Sequence, residues 1–72
     1  MGFFLEVSQM SKLNPLRLAR LEAGKSQWAV AKETGISQST ISLYEQGYRE
    51  PKPEHREILA KLYGKQVEEL WS

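Results

Sequence analysis

Residues 26–47 contain two short helical segments joined by a connection of three residues. Ser26 and Ser37 each precede a helical run, where a serine hydroxyl can accept a hydrogen bond from a free N–H of the first turn. Gly35 and Gly47 each follow a run, where glycine adopts a left-handed conformation without steric cost. Because the connection at residues 35–37 is short and contains glycine, this segment predicts two helices crossing at a steep angle, the helix-turn-helix arrangement.

Length and composition set limits on the rest of the chain. With 72 residues, it has room for one small domain that uses nearly all its apolar residues in one core. It contains no cysteine, so no disulfide framework or cysteine-based metal site is expected, which fits a cytoplasmic location. No apolar run approaches the roughly 20 residues of a membrane span or resembles the core of a signal peptide.

The chain divides into an arm and a domain. Residues 1–13 have no helix-start signal and are interpreted either as a partly disordered N-terminal arm or as an apolar cover for the core or for a second subunit. Residues 14–72 predict one all-α domain. Asn14 is a favoured N-cap, and Pro15 and Pro53 each suit a first helical position. These signals and the apolar spacing predict five helices, at residues 15–23, 27–34, 38–46, 54–63 and 66–71.

Helical spacing also predicts which faces are buried. The inward residues of the first helix are Leu16, Ala19, Arg20 and Ala23, and those of the third helix are Ile41, Tyr44 and Glu45. Arg20 and Glu45 are charged, and a buried charge requires a partner. We therefore expect them to form a structural ion pair. The alternative is that both side chains extend to solvent at the edge of the domain.

The sequence offers little for catalysis or for a metal. His55 is the only histidine, and its position in a charged segment predicts an ordinary surface residue. Glu68 and Glu69 are adjacent, so on a helix they point in different directions. No glycine-rich phosphate loop is present, and no nucleophile has a base beside it. We expect no enzyme activity, no cofactor and no metal.

A set of residues spread along the domain carries a family resemblance. They are Arg17, Arg20, Gly24, Ser26, Gln27, Ala31, Gly35, Ile36, Ser37, Ile41, Ser42, Glu45, Gly47, Pro51 and Leu70. In this order and spacing they resemble the phage repressor and Cro family, also called Xre-type helix-turn-helix proteins. The resemblance implies a five-helix lambda-repressor-like DNA-binding domain, with helices 2 and 3 forming the helix-turn-helix and helix 3 in the major groove. It also implies that Arg20 pairs with Glu45 beneath helix 3.

Five positions depart from the family pattern. Lys25 replaces an apolar residue, and Lys65-Gln66 replaces the small polar cap before the last helix. Leu43 stands where many members have a polar or basic residue. Trp28 is unusually large for the start of the second helix. It either contacts the DNA backbone or shields the core.

The outward face of the third helix supplies the candidate base-reading residues. They are Gln38, Ser39, Thr40, Ser42 and Leu43. Gln38 is the best of them, because its amide donates and accepts together and so matches the N6 and N7 atoms of adenine. Leu43 can pack on a thymine methyl group. Thr40 either adds its own methyl or only completes the cap of the helix.

Residues around this face are candidates for contacts with the DNA backbone, which fix register without reading sequence. They are Gln27, Arg17, Lys32, Gln46, Tyr48 and Arg49. Residues 14–49 carry five basic and three acidic side chains, whereas residues 50–72 carry four and five. This electrostatic footprint is weak for a DNA-binding protein.

These features predict sequence-specific binding of double-stranded DNA by a transcriptional regulator, a repressor. Because one module of this size contacts only about 600–1,000 Å² of DNA, we expect a homodimer on a pseudo-palindromic operator. The predicted dimer contacts lie at residues 51–55 and at Trp71, with help from Phe3, Phe4 and Leu5. The alternative is a protein-interaction module, such as an antitoxin-like subunit, whose main partner is another protein.

Overall fold

The computed structural model describes residues 14–71. The elements of this part of the chain are α1 (Pro15–Glu22), α2 (Gln27–Thr34), α3 (Gln38–Gln46), α4 (Pro53–Tyr63) and α5 (Val67–Leu70). For residues 14–71, the predicted all-α architecture of five helices is therefore confirmed. The predictions for the N-terminal arm, including Phe3, Phe4 and Leu5, lie outside the described residues.

The first three helices begin at the predicted capping residues. The side-chain oxygen of Asn14 accepts a hydrogen bond from the Arg17 N–H at 2.9 Å. Ser26 Oγ accepts from the Ala29 N–H at 3.0 Å, and Ser37 Oγ accepts from the Thr40 N–H at 3.2 Å. Each bond satisfies an N–H group that has no partner within the helix.

The glycine turns also form as predicted. Gly35 ends α2 with φ of 80°, and Gly47 ends α3 with φ of 79°, both in the left-handed region that favours glycine. Between α2 and α3, Ile36 turns into the core and is buried. This buried residue anchors the connection and fixes how α3 leaves α2.

Two sequence predictions about the helices are wrong in detail. Ala23 is predicted on the buried stripe of α1, but the helix ends at Glu22 and Ala23 is an exposed C-cap. The fifth helix is predicted over residues 66–71, but Gln66 and Trp71 are its caps. The Gln66 N–H donates to the Glu69 carboxylate at 2.8 Å, so a glutamate inside the helix closes its first turn. The fourth helix begins at Pro53, as its suitability for a first helical position predicts, because proline needs no N–H partner there.

A single apolar cluster holds the helices together. Its fully buried members are Leu16, Ala19, Val30, Ile36, Ile41, Tyr44, Leu59, Ala60 and Leu70. Helix α2 packs closely on α3, α1 packs on α3, and α5 packs on both α1 and α4. Ile58 lies at the surface of α4 rather than in this cluster. The core therefore packs against one face of α3 and leaves the opposite face accessible to solvent.

His55 is not the plain surface residue that its sequence context predicts. It is half-buried, and its Nδ1 lies 2.7 Å from the hydroxyl of the buried Tyr44. The two rings are tilted, with centroids 5.8 Å apart. The prediction failed because the hydroxyl of a buried tyrosine needs a partner, and the first turn of α4 supplies one.

Candidate nucleic-acid interface

The inward face of α3 is the one that its spacing predicted. Ile41 is 0% exposed, Tyr44 is 3% exposed and Glu45 is 6% exposed. Asn14 connects α1 to α3, a contact that spacing along the chain does not predict. Its side-chain amide donates hydrogen bonds to the backbone carbonyls of Tyr44 and Glu45. One residue thus caps α1 and also satisfies carbonyl groups in the last turn of α3.

Arg20 and Glu45 form the predicted ion pair, and the alternative of two solvent-directed side chains is wrong. Arg20 Nε donates to Glu45 Oε2 at 2.6 Å, and Arg20 Nη2 donates to Glu45 Oε1 at 3.1 Å. Arg20 Nη1 donates to the Lys25 carbonyl oxygen at 2.9 Å. The hydrogen bonds to Glu45 raise the pKa of Arg20 above its ordinary value, although burial opposes the shift.

A buried hydroxyl lies close to this pair. Tyr63 Oη is buried and has no hydrogen-bond partner in the described part of the chain. Burial, reinforced by the negative charge of Glu45, raises the pKa of Tyr63 to about 12. Tyr63 therefore stays neutral and adds no charge to the ion pair.

The ion pair continues into a chain of side-chain amides. Gln27 Nε2 donates to Glu45 Oε1 at 3.0 Å, and Gln38 Nε2 donates to Gln27 Oε1 at 2.6 Å. Because the carboxylate of Glu45 can only accept, Gln27 must turn its NH₂ group toward it. The carbonyl oxygen of Gln27 then faces Gln38, which must donate. The orientation of the Gln38 amide is thus set by a charge two links away.

The five candidate base-reading residues lie on the exposed side of α3 to different degrees. Ser39 is exposed, whereas Gln38, Thr40, Ser42 and Leu43 are half-buried. The Ser37 hydroxyl donates to Thr40 Oγ1 at 2.7 Å, so Thr40 takes part in the helix cap. Ser42 Oγ accepts from Gln46 Nε2 at 2.7 Å. Their predicted roles at DNA remain predictions.

The structure brings together three of the six candidates for backbone contacts. Arg17, Gln27 and Gln46 line one open cleft of about 330 Å³. Its other lining residues are Arg20, Ser42 and Glu45. The other three candidates, Lys32, Tyr48 and Arg49, are exposed but lie outside this cleft. Arg49 borders a second cavity, together with Pro51 and Trp71.

Trp28 and Trp71 differ in their surroundings. Trp28 is 71% exposed, so it does not shield the core, and that alternative is wrong. Trp71 is half-buried against the apolar cluster, and the guanidinium carbon of Arg56 lies 5.8 Å from its ring centroid. Lys25, which replaces an apolar residue of the family pattern, is half-buried, and its Nζ lies 2.9 Å from Glu33 Oε2.

The described residues lack the features of two other kinds of site. Within residues 14–71, no three acidic or histidine side chains are placed to hold a metal ion. None of the helices described is both long and apolar enough to cross a membrane.

Comparison with known proteins identifies similar chains. A family model described as "Helix-turn-helix" matches residues 16–70. A curated relative, the cryptic phage CTXphi transcriptional repressor RstR of Vibrio cholerae, is 40% identical over 57 residues, which cover 79% of this chain and 51% of that protein. The chain therefore spans about half the length of this relative. No solved structure matches it significantly.

Proposed function

This chain belongs to the Xre/Cro-like helix-turn-helix family, and from that premise we propose that it is a transcriptional repressor that binds double-stranded DNA in a sequence-specific manner. Helix α3 lies in the major groove and its exposed side reads base edges. The repressor described for the relative supports the regulatory role.

The observation that carries this proposal is the fixed orientation of Gln38. One N–H of its amide is used by Gln27, at 2.6 Å. The amide keeps its second N–H and its carbonyl oxygen, which is the pair of groups that recognises adenine through N7 and N6. A glutamine held in this way loses less rotamer entropy on binding than a free one. The Gln38 amide is therefore already oriented to hydrogen-bond to the edge of a base.

The cleft beside α3 fits a phosphate of the DNA backbone. Arg17 contributes a positive charge, and Gln27 contributes the N–H of its amide that Glu45 does not use. Gln27 is also the first residue of α2, where the N-terminal N–H groups favour an anion. Gln27 thus connects the contact with the DNA backbone to the reading of bases, since it lines the cleft and also bonds to Gln38.

The protein acts as a homodimer on a pseudo-palindromic operator in this proposal. One such module covers only about 600–1,000 Å² of DNA, and two copies placed one helical turn apart supply the rest of the affinity. The surface between residues 51–55 and Trp71 remains the candidate dimer contact. Trp71 keeps part of its ring at the surface there, although Arg56 and the core cover the remainder.

Selection from random duplex DNA tests this function, and it can begin without a known operator sequence. We expect an enriched consensus of two inverted half-sites whose centres are about 10 base pairs apart. Affinity for the consensus should also fall steeply as salt is raised. No enrichment, or an affinity that does not depend on salt, would instead support the protein-interaction alternative.

Gln38→Ala then tests the reading residue on the selected duplex. We expect specific binding to weaken by about 1–3 kcal/mol while binding to an unrelated duplex stays unchanged. Gln46→Ala is the matched control, because it removes an amide from the cleft rather than from the reading position. It should weaken binding to both duplexes equally. Equal losses for Gln38→Ala would remove its base-reading role.

A further inference from the structure

Trp28 is a large apolar side chain that the fold leaves in solvent, and its exposure removes the core-shielding role and leaves contact with the DNA backbone to be argued. It is 71% exposed, although it lies in the first turn of α2 beside the candidate interface. Exposed tryptophan is uncommon, because its large apolar surface gains free energy when it leaves water. The core does not use this ring, so its position beside the interface requires another explanation.

The neighbours of Trp28 show which surface it continues. It directly follows Gln27, whose amide contacts Gln38 at 2.6 Å. Lys32 lies one helical turn further along the same face of α2 and is also exposed. The other flank of α2 holds Glu33, which pairs with Lys25 at 2.9 Å. Trp28 and Lys32 therefore extend the candidate interface away from the reading helix along one side of α2.

We propose that Trp28 and Lys32 form a second contact with the sugar–phosphate backbone of DNA, outside the cleft that contains Arg17 and Gln46. This proposal rests on the proposed function. The ring of Trp28 packs on the apolar face of a deoxyribose, and the ammonium group of Lys32 binds an adjacent phosphate. The alternation of apolar sugar and anionic phosphate along a DNA strand matches an aromatic and a cationic side chain placed one helical turn apart.

Two features favour DNA over a protein partner for this face. Trp28 follows Gln27, and the Gln27 side chain bonds to Gln38. A duplex that contacts Gln38 therefore brings its backbone next to the first turn of α2, where Trp28 lies. The charge of Lys32 is also not neutralised by an ion pair within residues 14–71, whereas those of Lys25 and Lys65 are paired with Glu33 and Glu22. An unpaired cation is suited to an anionic strand.

Binding measurements distinguish the two members of the contact. Trp28→Ala should weaken binding about five- to tenfold, equally on the selected duplex and on an unrelated one, and leave the salt dependence unchanged because it removes no charge. Lys32→Gln should weaken binding to both duplexes and reduce the slope of log affinity against log salt by about 1. Leu21→Ala is the matched control, because Leu21 is 49% exposed on α1 and should not affect affinity.

Fluorescence tests the position of the ring directly. The chain has two tryptophans, so Trp71→Phe leaves Trp28 as the single emitter. Acrylamide should quench this emission readily in the free protein and at least twofold less when a 20-base-pair duplex of the selected sequence is bound. If Trp71→Phe does not fold, the difference between the wild-type and Trp28→Phe proteins gives the same signal.

The outcomes separate this contact from the proposed function. Binding of the duplex, followed by its anisotropy, with no change in the quenching of Trp28 would overturn the second contact alone. Protection of Trp28 that depends on protein concentration without DNA would assign the ring to a second copy of the chain and would also overturn it. Failure to bind any duplex would overturn the proposed function and this inference with it.

Discussion

The helices that face the proposed DNA and the helices that support them are stabilised differently. In α1, α2 and α3 every N-cap is a polar side chain bonded to its own first turn: Asn14, Ser26 and Ser37. In α4 the N-cap is Lys52, whose side chain makes no capping bond, and in α5 the first turn is closed by Glu69, which accepts from the Gln66 N–H at 2.8 Å. These two helices depend on a proline at the first position, on one internal glutamate and on apolar packing.

The buried polar contacts are divided in the same way. The buried ion pair joins α1 to α3, and the amides of Gln27 and Gln38 extend it to the exposed side of α3. Between α1 and the connection that precedes α5, the ion pair of Lys65 with Glu22 is at the surface and spans 3.4 Å. Directional bonds are thus concentrated where orientation matters for reading DNA. Apart from the bond of His55 to Tyr44 and that of Arg56 to the Pro51 carbonyl, the supporting half depends on apolar packing and surface pairs.

The largest expected difference between the two halves is in their ion pairs. Arg20→Leu should lower the free energy of unfolding by about 3–5 kcal/mol, because it leaves the buried carboxylate of Glu45 without a positively charged partner. Lys65→Leu is the matched variant in the supporting half and should change it by at most about 1 kcal/mol, since that pair is exposed. Denaturant unfolding of both variants measures the contrast.

A double-mutant cycle completes this test. Adding Glu45→Leu to Arg20→Leu should recover part of the lost stability, because the unpaired charge is then gone. If the losses from the two single variants simply add, the pair is not energetically coupled and the division between the halves is weaker than described.

A smaller difference is expected at the helix caps. Ser37→Ala should lower the free energy of unfolding by about 1 kcal/mol, because the N–H of Thr40 loses its partner. Lys52→Ala, at the equivalent position of α4, should change it by less than about 0.5 kcal/mol, since no capping bond is lost. Thermal unfolding followed by circular dichroism gives both values. Equal losses would show that the caps do not distinguish the halves.

The sequence also predicts α1, α2 and α3 better than it predicts α4 and α5. The bounds of α2 and α3 and the inward face of α3 could be predicted, because serine caps, glycine stops and helical spacing are local signals. The ion pair of Arg20 and Glu45 was predictable because two charges fell on apolar faces. In α5, where neither flanking residue is a strong local cap, the predicted bounds were wrong by one residue at each end.

Contacts between helices account for what the sequence did not predict. The bond between Tyr44 and His55 joins α3 to the start of α4, and the amide of Asn14 reaches the end of α3. Neither distance can be obtained from spacing along one helix. The link from Gln27 to Gln38 also depends on how α2 crosses α3, although both residues are candidates for DNA contacts on sequence grounds. Those assigned roles stay predictions.

Recognition of DNA in this proposal depends most on Gln27, which aims Gln38 at a base. A double-mutant cycle of Gln27→Leu and Gln38→Ala on the selected duplex measures this claim most directly, with an unrelated duplex as the reference for backbone contacts. We predict a coupling free energy of about 1 kcal/mol on the selected duplex and none on the unrelated one. If the two losses add on the selected duplex, Gln38 reads DNA without help from Gln27, and the orienting chain has no role in recognition.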